Sequence, residues 1–258
     1  MDRIVAVIQA RMGARRLPDK VLLELEGKPV LEHVIDRVKQ SNLVDEVIVA
    51  TTVAEKDLKI ANLCSRKGVR VYCGSENDVL DRYYQCARLV GADHIVRITA
   101  DCPIIDPKVI DEVIRLHFKK HSDYTANMIT STFPDGEDVE IFTSKALKKA
   151  WQNAKLSSER EHVTPYIRKN PGIFKLANLA FTKDLSDKRW TLDEKRDYGF
   201  IKEIYKALYK KNKFFGMKEV LKYLRSHPEH ESINNKIGRN EGYLKSLKDD
   251  KRIAKRDG

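Results

Sequence analysis

The chain has no closely spaced pair of cysteines. Cys64, Cys73, Cys86 and Cys102 stand singly in 258 residues, so neither a disulfide framework nor a zinc ribbon is encoded, and buried reduced thiols are expected. Long apolar runs are missing too. The run Ile4 to Ile8 is far too short for a signal-peptide core or a bilayer span, and no later stretch is longer. These absences point to work in the cytoplasm with no membrane as partner. Internal repeats and low-complexity tracts are lacking. So are both glycine-rich phosphate signatures, GxGxxG and GxxxxGK[ST], which removes the most familiar nucleotide-binding patterns.

What is present is a core and an excess of positive charge. Hydrophobic residues make up 41% and charged residues 34% of the chain, a balance that excludes wholesale disorder and fits a soluble globular protein. The length suits one large domain, or one of about 200 residues with an appendage. The 49 lysines and arginines outnumber the 38 acidic residues, for a net charge of +11. Such an excess attracts nucleic acid, an anionic membrane surface or phosphorylated small molecules. Residues 206–258 hold +8 of it, so the global number says little about the catalytic body. With no nucleic-acid module and no basic face interleaved with aromatics, nucleic acid is not an expected partner.

Hydrophobic rhythm gives the architecture. Ile4–Gln9, Glu46–Ala50, Val69–Tyr72 and His94–Ile98 are short Val- and Ile-rich runs that predict buried parallel strands. Between them, 29–40, 54–67, 77–90 and 107–119 have apolar residues at helical spacing, and Pro29 and Pro107 sit where a first-turn proline is tolerated. The repeated strand-helix alternation implies an α/β fold, a mostly parallel sheet with helices on both faces. Further strands are predicted at 139–142 and 174–179, and helices at 144–152, 159–169, 194–209 and 217–226. Residues 1–226 form the expected domain, and 227–258 a basic C-terminal appendage.

In an open parallel sheet, ligands bind beyond the C-terminal ends of the strands. The loop leaving the first strand, Gln9 to Lys20, carries Arg11, Arg15, Arg16 and Lys20 around Gly13. Guanidinium forks, backbone amides and a lysine point charge are what a polyphosphate needs, although a solvated basic loop has the same composition. Asp101 ends the fourth strand just before Cys102-Pro103; it suits a hard cation facing phosphates or, equally, an Asx cap of the turn.

IQARMGxxRLPxK (8–20) followed by GKPxLEHVIxR (27–37) resembles the N-terminal signature of the nucleotide-sugar pyrophosphorylase superfamily. The form is similar to the spore-coat polysaccharide cytidylyltransferase family, relatives of the enzymes that activate 3-deoxy-manno-octulosonate and acylneuraminate with CTP. The likeness continues through GSENDVLDRYYQ (74–85), VRITADCPIIDP (96–107), FPDGEDVEIF (133–142), REHVTPYIRKNP (160–171), RWTLDEKRDY (189–198) and NKIGRNEGYLKS (235–246). It implies a Rossmann-like nucleotide-diphospho-sugar transferase fold, a homodimer, and Mg²⁺-dependent transfer of CMP from CTP to a sugar or sugar acid with release of pyrophosphate.

The resemblance also implies roles. Arg11, Gly13, Arg16 and Lys20 would hold the triphosphate, with Arg11, Lys20 and Asp101 catalytic. Asp101 and Asp193 would hold the metal, Asp193 having an alternative as cap of the following helix. Asp78 and Arg82 fall in the segment that lines the base and ribose pocket. Asp138 and Glu140, two apart on a strand and so on one side, would face the acceptor with Arg160 and His162. The chain departs from the family pattern in places: Ala14 and Arg15 replace Ser and Thr, Ala100 replaces Gly, and Glu194-Lys195-Arg196-Asp197 stands where the family has Glu-Pro-Glu-Asp. Paired carboxylates occur in glycosidases too, but no other feature supports that chemistry. Another NTP with a sugar phosphate or phosphorylated alcohol is the nearest rival reading. A glycosyltransferase is a further one, although its Asp-x-Asp triplet is not evident after the fourth strand.

Overall fold

The computed structural model describes residues 2–14, 16–239 and 241–254. β1 (Ile4–Gln9) leads through a tight ribbon, β2 (Glu24–Leu25) and β3 (Lys28–Pro29), into α1 (Val30–Val38). Glu26 and Gly27 at the ribbon's turn both have positive φ, 46° and 78°, the geometry that two-residue hairpin turns favour. There follow β4 (Glu46–Thr52), α2 (Leu58–Arg66), β5 (Arg70–Gly74), α3 (Val79–Val90), β6 (His94–Thr99), α4 (Pro107–Lys120) and β7 (Tyr124–Ala126). The second half adds β8 (Glu140–Thr143), α5 (Ser144–Asn153), α6 (Ser157–His162), α7 (Pro165–Lys169), β9 (Leu176–Asn178), α8 (Lys195–Leu208), α9 (Met217–Ser226), α10 (Pro228–Glu231) and α11 (Glu241–Ala254).

Seven strands make one sheet in the order β5-β4-β1-β6-β8-β7-β9. Only β8 runs against its neighbours β6 and β7; the pairs β5/β4, β4/β1, β1/β6 and β7/β9 are parallel. Helices cover both faces. Ala6 and Ile8 of β1 join a core with Leu31, Val34, Ile35 and Val38 of α1, whereas Val5 and Val7 pack with Leu80 and Tyr83 of α3. That alternation is why β1 reads as an unbroken apolar run. The chain moves outward from β1 to β4 and β5, then returns to the other side of β1 as β6. The crevice at this reversal, beyond Gln9 and Thr99, is where the topology puts a ligand.

Two elements differ from the sequence pattern. The helix expected over 159–169 is broken in two, because Val163 adopts φ +70° and Pro165 then starts α7 at its first turn. The three-residue strand β7 was not predicted; it is fully buried but too short to show a period. The segment expected as an appendage, in its described part, lies against the body. Asn234 is buried and donates to the Arg189 carbonyl at 3.0 Å and to Asp197 Oδ1 at 2.9 Å, and the Ser158 amide donates to Asp250 Oδ1 at 3.2 Å.

At the sheet's other end His117 of α4 is buried, its Nε2 3.0 Å from His94 Nδ1 and its Nδ1 3.1 Å from Thr125 Oγ1. Burial, reinforced by His94 and opposed by Asp123, lowers its pKa to about 4. The unfolded chain therefore takes up this proton first as pH falls. The stabilisation is complete above about pH 6.5 and is lost toward pH 4, about 2 kcal/mol of it by pH 5. Urea unfolding at pH 7 and pH 5 is expected to show this loss, and His117→Gln to shrink it by that amount; an unchanged difference would exclude the role.

Candidate active site

The loop after β1 is built by its neighbours. The Ala10 amide donates to the Ala50 carbonyl at 3.1 Å, and the Ala100 amide to the Gln9 carbonyl at 3.0 Å, so the ends of β1, β4 and β6 are clasped together. The Met12 amide donates to Asp57 Oδ1 at 2.7 Å, while Asp57 Oδ2 accepts from the Thr52 hydroxyl. Asp57 is buried and makes no ion pair among the described residues; it organises the loop by accepting, a role no motif announced. Arg11 and Gly13 line the cleft, and a Cβ at Gly13 would come within 3.1 Å of Lys56 Nζ. Arg11 is exposed and has no ion pair among the described residues. Arg15 lies outside them.

Lys20 is the centre. Its Nζ lies 2.5 Å from Asp101 Oδ2 and 2.7 Å from Asp193 Oδ1. Burial works against the ammonium, yet the two carboxylates outweigh it and raise the Lys20 pKa. Burial likewise pushes Asp101 up, and Lys20 more than reverses this, holding the carboxyl below its ordinary value. Asp101 and Asp193 are 92 residues apart and meet because the Leu192 amide donates to the Asp101 carbonyl at 2.8 Å.

Asp193 itself is held by a buried lock. Arg189 donates to both oxygens of Asp197, at 2.9 and 3.0 Å, and to Asp193 Oδ2 at 3.3 Å. Asp197, fully buried, also accepts the amides of Asp193 and Glu194 at 2.9 Å each. Asp193 therefore does not cap α8; Glu194 occupies the cap position and Asp197 satisfies the free amides. Gly136 has φ +111°, and a Cβ there would sit 2.6 Å from the Trp190 carbonyl carbon. That contact lets Asp135 reach Arg189 at 3.0 Å. Arg16 crosses the mouth of the cleft, 3.2 Å from Asp193, 3.3 Å from Glu194 and 2.5 Å from Glu241.

The remaining expected residues divide. Arg82 is buried, lines the cleft, and has no ion pair among the described residues; its Nε lacks any hydrogen-bond partner. Burial, with Tyr83 opposing and the nearby Arg11 cation assisting, lowers its pKa. Asp138 lines the cleft beside Arg239, and burial lifts its pKa to about 7. Glu140 is buried and committed to Arg97, the Tyr124 hydroxyl at 2.6 Å and the Thr164 hydroxyl at 2.6 Å. It thus orients Arg97 at the cleft wall rather than presenting free acceptors. His162 faces Ser246 Oγ at 3.0 Å, and burial lowers its pKa to about 4. Asp78 and Arg160 are not among the cleft's lining residues. Arg160 Nε donates to Asp78 Oδ2 at 2.9 Å and its other arm to the Trp151 carbonyl, while Asp78 caps α3 through the Asp81 amide at 2.8 Å. Arg97 and Arg168, which line the cleft, and Arg239, which pairs with the lining Asp138, carry no individual signal in the sequence; they enter through contacts tens of residues away.

The cleft so formed measures about 1130 Å³ and runs from the β1 loop past Asp101 and Asp138 to α11. An open α/β sheet whose switch-point loop presents cations over two lysine-bridged aspartates defines an enzyme of nucleotidyl transfer. The chain belongs to the cytidylyltransferase family, whose model matches residues 5–234. It is similar to the spore coat polysaccharide biosynthesis protein SpsF of Bacillus subtilis, 36% identical over 217 residues that cover 80% of this chain and 87% of that one. A 3-deoxy-manno-octulosonate cytidylyltransferase of Geobacter sulfurreducens is 39% identical over 113 residues, 43% of this chain and 44% of its own. The structure of a cytidylyltransferase from Leptospira borgpetersenii superposes with a TM-score of 0.85 at 33% identity, covering 90% of this chain and 97% of that one.

Breaking the Arg189–Asp197 pair leaves a fully buried carboxylate uncompensated. Arg189→Met is expected to cost about 3–5 kcal/mol in urea unfolding; a loss under about 1 kcal/mol would show that Asn234 and the amides suffice.

Proposed function

We propose that the protein transfers the cytidylyl group of CTP to a hydroxyl oxygen of a sugar or sugar acid, in surface polysaccharide or glycan synthesis. The observation that carries the reading is Lys20 Nζ between Asp101 and Asp193 beneath a loop that offers Arg11 and Arg16. The acceptor oxygen forms a bond to the α-phosphorus, the bond to the bridging oxygen breaks, pyrophosphate leaves with that electron pair, and the hydroxyl proton passes to solvent water. Arg11, Arg82 and Lys20 offset the charge that builds on the leaving pyrophosphate, and Arg16 joins them once the phosphates replace Glu241. The work is positioning and charge stabilisation rather than covalent chemistry.

Two convergent carboxylates supply only oxygen, the donor set of a hard cation that takes one or two carboxylates and completes its shell with phosphates and water. Asp101 and Asp193 would hold Mg²⁺, which when bound polarises the phosphate and lowers the pKa of a bound hydroxyl. Lys20 would then contact the phosphates as it gives up part of its pairing. The relatives' action on 3-deoxy-manno-octulosonate and their part in spore-coat polysaccharide synthesis support the acceptor class.

Pyrophosphate release from CTP with a panel of sugar acids and phosphorylated alcohols tests the reading. Asp101→Ala and Lys20→Ala are expected to slow turnover by hundreds-fold, corresponding to about 3 kcal/mol of lost transition-state stabilisation. In thermal shift with Mg²⁺, CTP is expected to stabilise more than ATP, GTP or UTP. Equal turnover by wild type and Asp101→Ala would overturn the assignment, and equal stabilisation by the four nucleotides would overturn the choice of CTP.

A further inference from the structure

Apart from Glu241, which pairs with Arg16, the motif at residues 235–246 has no part in the reaction just described, and it lies beyond the family match, which ends at residue 234. Yet α11 forms a wall of the cleft, with Glu241, Tyr243, Lys245 and Ser246 lining it. The wall is fastened. Ser246 is buried; its hydroxyl donates to Glu161 Oε2 at 2.7 Å and stands 3.0 Å from His162 Nε2. The Tyr243 ring meets His162 edge-on with centroids 5.2 Å apart, and the Arg168 guanidinium lies over the same ring, 5.6 Å from its centroid.

Arg168 comes from α7 and lines the cleft. It has no ion pair among the described residues, and its Nε is buried with no hydrogen-bond partner. Glu140 feels the Arg168 charge, but its oxygens are already filled by Arg97, Tyr124 and Thr164. A desolvated guanidinium donor without an acceptor is costly unless a ligand supplies one, and its planar fork matches a carboxylate or phosphate. A cation over an aromatic face is also held in direction, so Tyr243 aims Arg168 without using its donors.

We propose that α11 is the acceptor-binding wall of the cleft, and that Arg168, held over the ring of Tyr243, takes a carboxylate or phosphate of the sugar acceptor. This rests on the cytidylyl-transfer reading above. It makes Arg168 a binding residue and Tyr243 a positioning residue.

Steady-state pyrophosphate release with CTP and three acceptors separates the possibilities: 3-deoxy-manno-octulosonate carries a carboxylate, glucose 1-phosphate a phosphate, and glucose neither. The wild type is expected to use one of the two anions and not glucose. Arg168→Gln is expected to raise the KM for that anion by roughly ten- to a hundredfold, the range for hydrogen bonds to charged groups, with the KM for CTP unchanged, which also reports an intact fold. Tyr243→Ala is expected to raise the acceptor KM by a smaller factor, and Tyr243→Phe, which keeps the ring, to restore it. An acceptor KM unmoved by Arg168→Gln, or KM values for CTP and acceptor rising together, would overturn the role of Arg168. Tyr243→Phe failing as badly as Tyr243→Ala would overturn that of Tyr243. Equal use of glucose would overturn this inference alone, whereas release with none of the three would count against the parent reading as well.

Discussion

Lys20 stands between Asp101 and Asp193, and the geometry of the whole cleft is bound up with that contact. Two carboxylates brought together in a half-buried crevice repel each other unless a cation lies between them. The sheet makes the juxtaposition unavoidable: β1 delivers the lysine, the adjacent β6 delivers Asp101, and the Leu192 amide ties the Asp193 segment onto the Asp101 carbonyl at 2.8 Å. The Lys20 ammonium bridges the pair in the free protein, and Arg16 and Arg189 add positive charge beside Asp193. In the proposed reaction, a divalent cation arriving with the nucleotide would replace positive charge between the carboxylates rather than create it. The electrostatic environment is therefore organised before substrate arrives.

A second layer keeps this centre in place without taking part in chemistry. Arg189 is nearly enclosed by Asp135, Asp193 and Asp197, and Asp197 accepts from two backbone amides at the start of α8 as well as from Asn234. Such a buried network contributes little net stability as compared with an apolar packing of the same volume, but it specifies one arrangement. Here the arrangement specified is the direction of Asp193. The apolar core on the same side of the sheet, with Trp190, Leu192 and Phe200 all buried, then holds the network as one unit.

The parts of this design that depend on local pattern were legible in the sequence. β1 matches its apolar run residue for residue, α4 starts at Pro107, and Asp101 and Asp193 fall where a strand end and a helix start were expected. Asp78 shows the limit. As a residue opening a helix it suits a cap as well as a ligand contact, and the structure uses it as a cap paired with Arg160, 82 residues away. Arg160 and Arg168 sit on neighbouring helices with no local feature to rank one above the other. What separates them is whether a carboxylate lies within reach, a property of tertiary placement alone. The break at Val163 has the same origin: a buried valine with φ +70° reads as helical in the sequence, and only the packing that covers it makes that backbone tolerable.

The distinction between paired and unpaired cations also resolves the meaning of the +11 charge. Of the basic side chains that line the cleft, Arg16, Lys20, Arg97 and Arg189 are each paired with a carboxylate. Arg11, Arg82, Arg168 and Lys245 have no such partner among the described residues, and they are spread from the loop after β1 to the far wall. A cleft designed for one anion would need them clustered. Their separation instead matches a ligand pair, a polyphosphate at one end and a second anionic group at the other. The division also follows the family match: the lysine and aspartates of the common chemistry lie within residues 5–234, whereas part of the far wall comes from α11 beyond it. A fold fixes its reaction more tightly than its acceptor, and a far wall built from α7 and α11 carries acceptor contacts without disturbing the centre that Lys20 holds together.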